Sequence, residues 1–575
     1  MSSFRVWALT PKKVEIQCNG QVFAMRLEAG GWWTTEIAGF QKHSDYGFLL
    51  DGEGPFPDPR SLFQPNGING LSRCVDHNEF KWEDVNWQAP SLSSAVIYEL
   101  HVGTFTPAGT FEAAMEKLDH LVQLGVTHVE FMPVNEFSGD RGWGYDGVDI
   151  FAPHHAYGTP EQLKRFVNEC HRKRLAVILD VVYNHFGPAG NHLEKFAPYF
   201  TKKYSSPWGE AVNFDGPGSY EVRRFFCDNA LMWLRDYHFD GLRLDAVHAI
   251  VDMSAEPFLM QLKQEVGQLQ ATLGRSLVLI PESDLNDPRL LWPMEKGGMG
   301  LDAQWSDDFH HALHTVLTDE RDGYYQDFGS LADLAKALQN AFVYDGQFSH
   351  HRCRNHGRPP FGLSGDRFLG YLQNHDQIGN RAKGDRSSRF MTLGRLKIGA
   401  ALVLTSPFIP MLFQGEEWGA ATPFQYFTNH QDAKLGDAVR QGRRREFAAF
   451  GWHPDEIPDP QARETFERSK LNWAEVTAGD HAELMNWHVQ LIRLRQSEPS
   501  LRDGRFDQVA IRFDEKQRWF VLERESIGVF LNLANQPQKI SSAGVRHLLL
   551  GSTPGIILEH DGIQLPSESL AILKL

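Results

Sequence analysis

Carboxylates stand at the ends of three separate apolar runs in this chain. Asp245 ends the run DGLRLD, Glu282 ends SLVLIPE, and Asp376 ends GYLQNHD. An ionisable side chain at the end of a buried strand is costly unless it is paired, so three of them indicate one shared cavity. A fourth apolar run, LAVILDVVYNH, also ends in polar residues. The polar residues in or next to the ends of the four runs are Asp180, Asn184, His185, Arg243, His248, Asp284, Asn374 and His375. The sequence therefore predicts a functional site where these runs end.

Two kinds of chemistry suit three converging carboxylates. Their oxygens could ligate a divalent cation, or two of them could cleave a glycosidic bond. Arg243 lies two residues before Asp245, so both side chains share one strand face, and the cation keeps Asp245 ionised as a nucleophile requires. Glu282, repelled by neighbouring carboxylates, would keep the proton that a general acid donates. A metal cluster would not include an arginine, so we favour glycoside hydrolysis and expect no metal.

The elements that must position these residues alternate regularly along the chain. Apolar runs such as AVIYELHVG, THVEFMPV and LAVILDVVYNH are separated by segments with helical spacing, and we count eight strand–helix units between residues 93 and 499. Runs buried on both faces, each followed by a helix, indicate a parallel sheet. Eight units close most naturally into a (β/α)8 TIM barrel, whose active site lies at the carboxyl ends of the strands. An open, doubly wound α/β sheet is the alternative.

Shorter alternating segments flank the predicted barrel. Residues 1–92 are interpreted as an N-terminal β-sandwich and linker, and residues 500–575 as a C-terminal β-sandwich. A short insert at about 184–218 follows the third barrel strand and is expected to border the site. Trp32 and Trp33 could bind sugar, although at least one is expected to pack in the core of the sandwich.

Composition narrows the function classes. The formal net charge of −16 argues against nucleic-acid binding, which needs a basic surface. Five scattered cysteines without a CxxC pair indicate neither a disulfide framework nor a zinc site. We find no signal peptide and no apolar run long enough for a membrane span, so a cytoplasmic protein without membrane contact is expected.

Four segments taken together resemble the signature segments of the α-amylase superfamily. They are DVVYNH, DGLRLDAV, IPESD and QNHD, in that superfamily's order and each at the end of the expected strand. GWGYDG and LFQGEE extend the resemblance. It implies that Asp245 is the nucleophile, Glu282 the general acid/base, and Asp376 a third catalytic carboxylate that holds sugar hydroxyls. The implied mechanism is retaining, with the two working carboxyls roughly 5–5.5 Å apart.

The same resemblance implies binding roles around the catalytic carboxylates. Arg243 would orient Asp245, and Tyr145 would stack on the sugar at the cleavage point, with a packed loop aromatic as the alternative. The other implied substrate-binding residues are Asp146, His185, His248, Asp284, Asn286, His375 and Gln377. Asn184 corresponds to a calcium ligand in some relatives, but the insert carries few carboxylates, so we predict neither a required calcium nor another cofactor.

Tracts beside the signature segments resemble one family within this superfamily, the maltooligosyltrehalose trehalohydrolases. These tracts are DAVHAI, PESDLND, DAQWSDDFHHALH, QNHDQIGNRAKGDR and RRREF. The implied reaction is hydrolysis of the α-1,4 bond beside the terminal trehalose of maltooligosyltrehalose or related α-glucans, with a maltooligosyltrehalose synthase as pathway partner. Asp284, Asn286, Asp287 and Gln377 would recognise trehalose, although Asn286 and Asp287 could equally form a helix cap.

Two other functions stay open at this point. A glucan branching enzyme would pass the sugar to another sugar hydroxyl instead of water, and a non-catalytic α-glucan-binding relative would need no working carboxylates. Branching enzymes usually carry Glu after the Asp of the seventh-strand motif, whereas this chain carries Gln377. All three carboxylates are present, which favours the hydrolase.

Overall fold

Eight short parallel strands lie side by side around a common interior. They are Ile97–Leu100, His128–Phe131, Ala176–Val181, Gly241–Leu244, Val278–Pro281, Gln304–Trp305, Phe368–Gly370 and Ile409–Phe413. The computed structural model describes residues 2–39, 43–206, 208–448, 453–542 and 547–575. Neighbouring strands pair in chain order, and the eighth strand pairs with the first. The fifth and sixth strands are joined through Asp302, whose backbone N–H donates to the Leu279 carbonyl at 3.0 Å and whose carboxylate accepts from the Leu279 N–H at 2.8 Å.

The side chains of each strand alternate between the barrel interior and the surrounding helices. In the first strand, Ile97 packs in the interior cluster with Ile178 and Ile280, whereas Tyr98 and Leu100 pack outward. This period of two follows from strand geometry and leaves every second position available to line the interior. The polar residues that extend these inward positions therefore meet above the barrel core.

Helices cover the outside of the barrel because each has an apolar face. Pro160–Arg172 is an example, since Thr159 and Gln162 form a capping box, proline occupies the first turn, and Leu163, Phe166 and Val167 are buried. The longer helices are Leu118–Leu124, Pro160–Arg172, Ser219–Asp236, Phe258–Leu273, Asp307–Thr318, Leu331–Asn340, Leu393–Thr405, Ala433–Ala448 and Gly479–Ser497. The shorter α-helices are Val102–Phe105, Phe111–Met115, Leu193–Phe196, His375–Gly379, Arg463–Arg468 and Pro499–Arg502.

Two antiparallel sheets precede the barrel and pack on each other. One contains Ser2–Trp7, Arg26–Leu27 and Trp32–Ile37; the other contains Val14–Cys18, Gln21–Ala24, Asp45–Leu50, Glu53–Phe56 and Ser72–Arg73. Phe4 of the first sheet meets Tyr46 of the second with ring centroids 5.0 Å apart. Trp33 is buried, as expected for one of the tryptophan pair, and Trp32 donates to Glu221 of the barrel at 3.1 Å.

Two further antiparallel sheets follow the barrel. Their strands are Val509–Asp514, Trp519–Arg524, Ile527–Asn532, Gln538–Ser541, His547–Gly551, Ile557–Glu559, Gly562–Leu565 and Ser569–Lys574. Val521 and Phe530 of one sheet share a buried cluster with Ile540 and Ile563 of the other. The buried Arg524 donates to the Thr405 carbonyl at 2.8 Å and so attaches these sheets to a barrel helix.

Three strand pairs lie in the segments that connect barrel strands and helices. They are Asn135–Glu136 with Asp149–Pro153, Phe200–Ser206 with Gly209–Val212, and Asp345–Ser349 with Arg354–Gly357. The second pair lies within the predicted insert.

The predicted fold class, a TIM barrel with sheet-rich N-terminal and C-terminal regions, is confirmed. Among the described residues, no helix combines the length and apolar character needed to cross a membrane.

Packing between the second barrel strand and the helices predicts a stability effect. Phe131 is fully buried, and its ring contacts those of Phe166 and Phe239. Phe131→Ala should lower the free energy of unfolding by about 3–5 kcal/mol through lost burial and a cavity, measured by urea unfolding. Phe361→Ala, at a side chain that is 77% exposed, is the matched control and should cost less than about 0.5 kcal/mol. Equal losses in the two variants would contradict this view of the packing.

Candidate active site

The buried guanidinium of Arg243 is bonded to carboxylates from two neighbouring strands and lies close to a third. Its Nη1 donates to Asp180 Oδ2 at 2.7 Å and to Asp245 Oδ1 at 2.8 Å, and its Nη2 lies 3.5 Å from Glu282 Oε2. The guanidinium also lies over the Trp305 ring, 4.3 Å from its centroid. One cation therefore fixes the relative positions of the groups on the third, fourth and fifth strands.

Both oxygens of Asp245 are held by the protein. Oδ1 accepts from Arg243, and Oδ2 accepts from Asn184 Nδ2 at 2.8 Å. The Asn184 amide also donates to the Asp245 carbonyl at 2.8 Å. Charge-assisted hydrogen bonds of this kind restrict the rotation of the carboxylate and hold it in place.

Glu282 is held by one oxygen only. Its Oε2 accepts from the backbone N–H of Ala246 at 2.7 Å, and Ala246 has a left-handed backbone with φ 39° that turns this N–H toward the fifth strand. Among the described residues Oε1 has no hydrogen-bond partner. Burial raises the pKa of Glu282, Arg243 opposes that rise, and Asp245 and Asp376 add to it. The group can therefore carry a proton on Oε1.

Asp376 lies beside a histidine that the surrounding carboxylates keep charged. His375 Nε2 is 3.5 Å from Asp376 Oδ1, and its Nδ1 donates to Glu99 on the first strand. Burial lowers the pKa of His375, but Asp376 and Glu99 outweigh it and raise the pKa to about 9. At neutral pH both nitrogens of the His375 imidazolium therefore act as hydrogen-bond donors.

Tyr145 connects this histidine to the Arg243 group. Its hydroxyl donates to Asp180 Oδ2 at 2.7 Å and lies 2.8 Å from His375 Nε2. The Tyr145 and His375 rings are nearly parallel, with centroids 5.3 Å apart and an interplanar angle of 23°. The tyrosine is therefore fixed at its hydroxyl end.

His185 carries an aromatic neighbour that the sequence analysis missed. Its Nδ1 contacts Asn184, its Nε2 lies 3.0 Å from the Tyr145 carbonyl, and its ring stacks on Trp208 at 4.4 Å and 7°. Trp208 lies in the insert and is 50% exposed. The only sequence feature that could have pointed to Trp208 is the high aromatic content of the insert.

Asp284 follows Glu282 by two residues and lies among basic side chains, two of which come from a distant hairpin. Arg352 Nη2 is 3.0 Å from Asp284 Oδ2, and His356 Nε2 donates to the Asp284 carbonyl at 2.7 Å. His248 Nδ1 lies 4.0 Å from Asp284 Oδ1. Asp284 and His248 were predicted from the sequence as substrate-binding residues. Arg352 and His356 were not predicted, because they belong to a segment without a signature motif.

Three other predicted residues turn their side chains to the protein rather than toward this group. Asn286 is buried and donates to Asp308 Oδ2 at 2.8 Å and to the Tyr344 carbonyl at 3.1 Å. Asp287 accepts from the Arg289 N–H at 3.1 Å as the cap of a short 3-10 helix. Gln377 accepts from the Asn374 N–H at 2.9 Å in a capping box.

Asp146 and Asp307 are two further acidic residues close to this group, near His185 and Glu282 respectively. Asp146 Oδ2 lies 3.8 Å from His430 Nε2. Asp307 follows the sixth strand and accepts from the Tyr371 hydroxyl at 2.6 Å. Asp307 lies in the tract DAQWSDDFHHALH but was not predicted as a site residue. The strand before it is only two residues long, too short to show an alternating pattern in the sequence.

One set of side chains in the described part of the chain is grouped closely enough to suggest a metal site. Glu136, His154 and His155 have ligand atoms within 4.8 Å of one another. However, both Glu136 oxygens already accept from His155, one from Nδ1 at 2.8 Å and one from the backbone N–H at 2.9 Å. This set shares no residue with the carboxylate group around Arg243.

Comparisons with known proteins agree on one family. Residues 75–207 match the family model described as the α-amylase catalytic domain. A protein named malto-oligosyltrehalose trehalohydrolase from Mycobacterium tuberculosis is 47% identical over 587 residues, covering 100% of this chain and 99% of the relative. A protein of the same name from Rhizobium sp. is 47% identical over 585 residues, covering 99% and 97%. A crystal structure titled putative α-amylase, from Salmonella typhimurium, is similar with a TM-score of 0.92 and 37% identity, covering 100% and 97%.

The Glu99–His375 pair predicts a spectroscopic effect. Glu99→Gln removes a charge that raises the pKa of His375, so this pKa should fall below about 9. Histidine 13Cε1 resonances recorded between about pH 6 and 10 would report the titration, with His375→Gln identifying the signal. Glu116→Gln, at an exposed position, is the control. If Glu99→Gln left the titration unchanged, Glu99 would not contribute to the charge of His375.

Proposed function

Because this chain belongs to the malto-oligosyltrehalose trehalohydrolases, a family of α-amylase-type glycosidases, we propose that it hydrolyses maltooligosyltrehalose. The bond cleaved is the α-1,4 bond beside the terminal trehalose unit, and the products are trehalose and a maltooligosaccharide. The observation that carries this proposal is that Asp245 and Glu282, which both lie at the Arg243 guanidinium, differ in their hydrogen bonds. Asp245 has both oxygens occupied, whereas Glu282 has one oxygen free.

In the proposed first step, Asp245 attacks the anomeric carbon. A bond forms between a carboxylate oxygen and this carbon while the bond to the glycosidic oxygen breaks. Glu282 gives its proton to that departing oxygen, so trehalose leaves as a neutral alcohol. Because Glu282 Oε2 accepts from Ala246, the proton is transferred from Oε1.

In the second step, Glu282 acts as the base. It takes a proton from water, the resulting hydroxide oxygen bonds to the anomeric carbon, and the ester bond to Asp245 breaks. Two displacements at the same carbon retain the α-configuration. The active form requires a protonated Glu282, so kcat/KM should decline as the pH rises through its raised pKa.

We assign sugar binding at the cleavage point to Asp376, His375, Tyr145 and His185. Asp376 would accept from sugar hydroxyls, and the charged His375 would donate to them once its contact with Tyr145 loosens. Tyr145 would present its ring to the apolar face of the sugar. Asp146 would border the same site.

We assign recognition of trehalose to Asp284, His248 and Arg352. Paired with Asp284, Arg352 offers donors from a planar guanidinium that suit the hydroxyl groups of a disaccharide. A plain α-1,4 chain would leave some of these groups unpaired, and that cost would discriminate against it. By their hydrogen bonds, Asn286, Asp287 and Gln377 support the surrounding backbone and are not assigned contacts with substrate.

Trehalose-capped chains need an enzyme that rearranges the reducing end of a glucan into a trehalose unit. We therefore propose a maltooligosyltrehalose synthase as the supplier of substrate. A cytoplasmic location is proposed on the five unpaired cysteines, which suit a reducing compartment.

Product analysis tests the reaction directly. The protein should release trehalose from maltooligosyltrehalose and leave amylose without new branches, as resolved by chromatography of the sugars. New α-1,6 branches on amylose would overturn the proposal in favour of a branching enzyme. Binding of both glucans without any product would indicate a non-catalytic relative.

The role of Asp245 predicts a large loss of activity with little loss of structure. Asp245→Asn keeps the shape of the side chain but removes the nucleophile, so kcat should fall more than about a thousandfold, which corresponds to roughly 4 kcal/mol of barrier. The circular dichroism spectrum should be unchanged. Asp480→Asn, at an exposed position, is the matched control. Turnover within about tenfold of the wild type, roughly 1.4 kcal/mol, would contradict the assignment.

A further inference from the structure

We propose that Asp307 is a substrate-binding residue whose carboxyl group is protonated and donates a hydrogen bond from Oδ2 to an oxygen of the leaving-group sugar. The inference rests on the proposed hydrolysis of an α-glucan and adds a residue that none of the signature segments contains. It is drawn from the position of Asp307 in the barrel and from the partner of its other oxygen.

The position of the sixth strand puts Asp307 between two of the proposed catalytic groups. In the barrel, the sixth strand lies between the fifth strand, which Glu282 follows, and the seventh, which Asp376 follows. Two residues before Asp307, the Trp305 ring lies beneath the Arg243 guanidinium and 6.0 Å from the His375 ring. Asp307 therefore follows, by two residues, a side chain that lies close to both Arg243 and His375.

One oxygen of Asp307 is already occupied. The Tyr371 hydroxyl lies 2.6 Å from Oδ1, and Tyr371 is fully buried, with its ring 5.6 Å from that of Trp305. Asp307 is the hydroxyl's hydrogen-bond partner within the described ranges. Leaving a buried O–H unbonded is costly, so the tyrosine donates and Oδ1 accepts. A proton on Asp307 must then reside on Oδ2.

The surroundings of Asp307 favour this proton. Burial raises its pKa, and the nearby carboxylates of Glu282, Asp284 and Asp376 add to the rise, against the opposing effect of the Tyr371 hydrogen bond, to give a pKa of about 8. Asp307 is also the first residue of the helix Asp307–Thr318, where the helix dipole favours the ionised form, but burial and the neighbouring carboxylates together outweigh it. The neighbouring Asp308 turns away and accepts from the N–H groups of Val343 and Tyr344.

A neutral carboxyl at Asp307 supplies a second donor beside that of Glu282. A carboxylate such as Asp284 accepts hydrogen bonds but cannot donate them. A sugar hydroxyl oxygen, a ring oxygen or a glycosidic oxygen needs a donor. A protonated Asp307 provides one near Glu282, the proposed proton donor to the leaving group, without adding a negative charge.

Substrate binding at two pH values tests the inference. In an Asp245→Asn background, which prevents turnover, we would measure the Kd of maltooligosyltrehalose by calorimetry at about pH 6.5 and pH 9, on either side of the Asp307 titration. The parent should bind about tenfold more weakly at the higher pH, because Asp307 changes there from a donor to an anion. Asp307→Asn keeps a neutral donor, so its Kd should change by no more than the roughly twofold that the titration of His375, with a pKa of about 9, contributes at pH 9.

Other variants separate donation from shape. Asp307→Leu removes the donor and should weaken binding about tenfold at pH 6.5, more than Asp307→Asn does. Asp319→Asn, at the exposed end of the same helix, is the control and should match the parent. Tyr371→Phe leaves Oδ1 unbonded and should weaken binding about threefold at pH 6.5, which provides a second measurement if Asp307→Leu does not fold.

Two results would overturn the inference. One is an Asp307→Asn variant that loses affinity at pH 9 as the parent does, since the titrating group would then be another residue. The other is unchanged affinity in both Asp307→Leu and Tyr371→Phe. Maltoheptaose, measured in parallel, distinguishes failure of the proposed function: equal affinity for both sugars would argue against recognition of trehalose. The pH dependence of the Asp307 variants would still decide the role of Asp307.

Discussion

The site depends on one buried cation. Arg243 is fully buried, and removing a guanidinium from water is costly unless anions and hydrogen bonds replace the water. Strand register supplies the anions, because Asp180 lies directly across from Arg243 on the third strand and Asp245 follows two residues later on the fourth. The geometry of the catalytic group is thus a consequence of how two parallel strands align.

The two carboxylates proposed to act in catalysis are held differently beside this common neighbour. Asp245 shares its charge with Arg243 and Asn184, whereas Glu282 is bonded through a single oxygen to the N–H of Ala246. Burial and neighbouring carboxylates then raise the pKa of Glu282 and of Asp307, while Asp376 and Glu99 keep His375 charged against the effect of its burial. The same group of acidic side chains therefore favours the protonated forms of Glu282, Asp307 and His375.

Local patterns were enough to predict the barrel and the grouping of Asp180, Asp245 and Glu282 around Arg243. Apolar runs identified the parallel strands, and the spacing of Arg243 and Asp245 predicted their shared face. Side-chain direction beyond a strand end was not predictable, since Gln377 and Asn286 bind backbone or buried partners that only tertiary contacts bring near. Arg352 could not be assigned because almost seventy residues separate it from Asp284. Asp307 was missed because the sixth strand is two residues long.

The hairpin formed by Asp345–Ser349 and Arg354–Gly357 has a consequence for how such an enzyme changes over evolution. It supplies Arg352 and His356 to Asp284, yet its strands pair only with each other and contribute nothing to the barrel ladder. Selection can therefore alter the sequence of this hairpin, and with it the proposed contacts to the sugar beside the scissile bond, while the register that aligns Arg243 with Asp180 is preserved. Arg352 and His356 can thus vary independently of the strands that hold Arg243, although Asp284, which they contact, lies only two residues after Glu282.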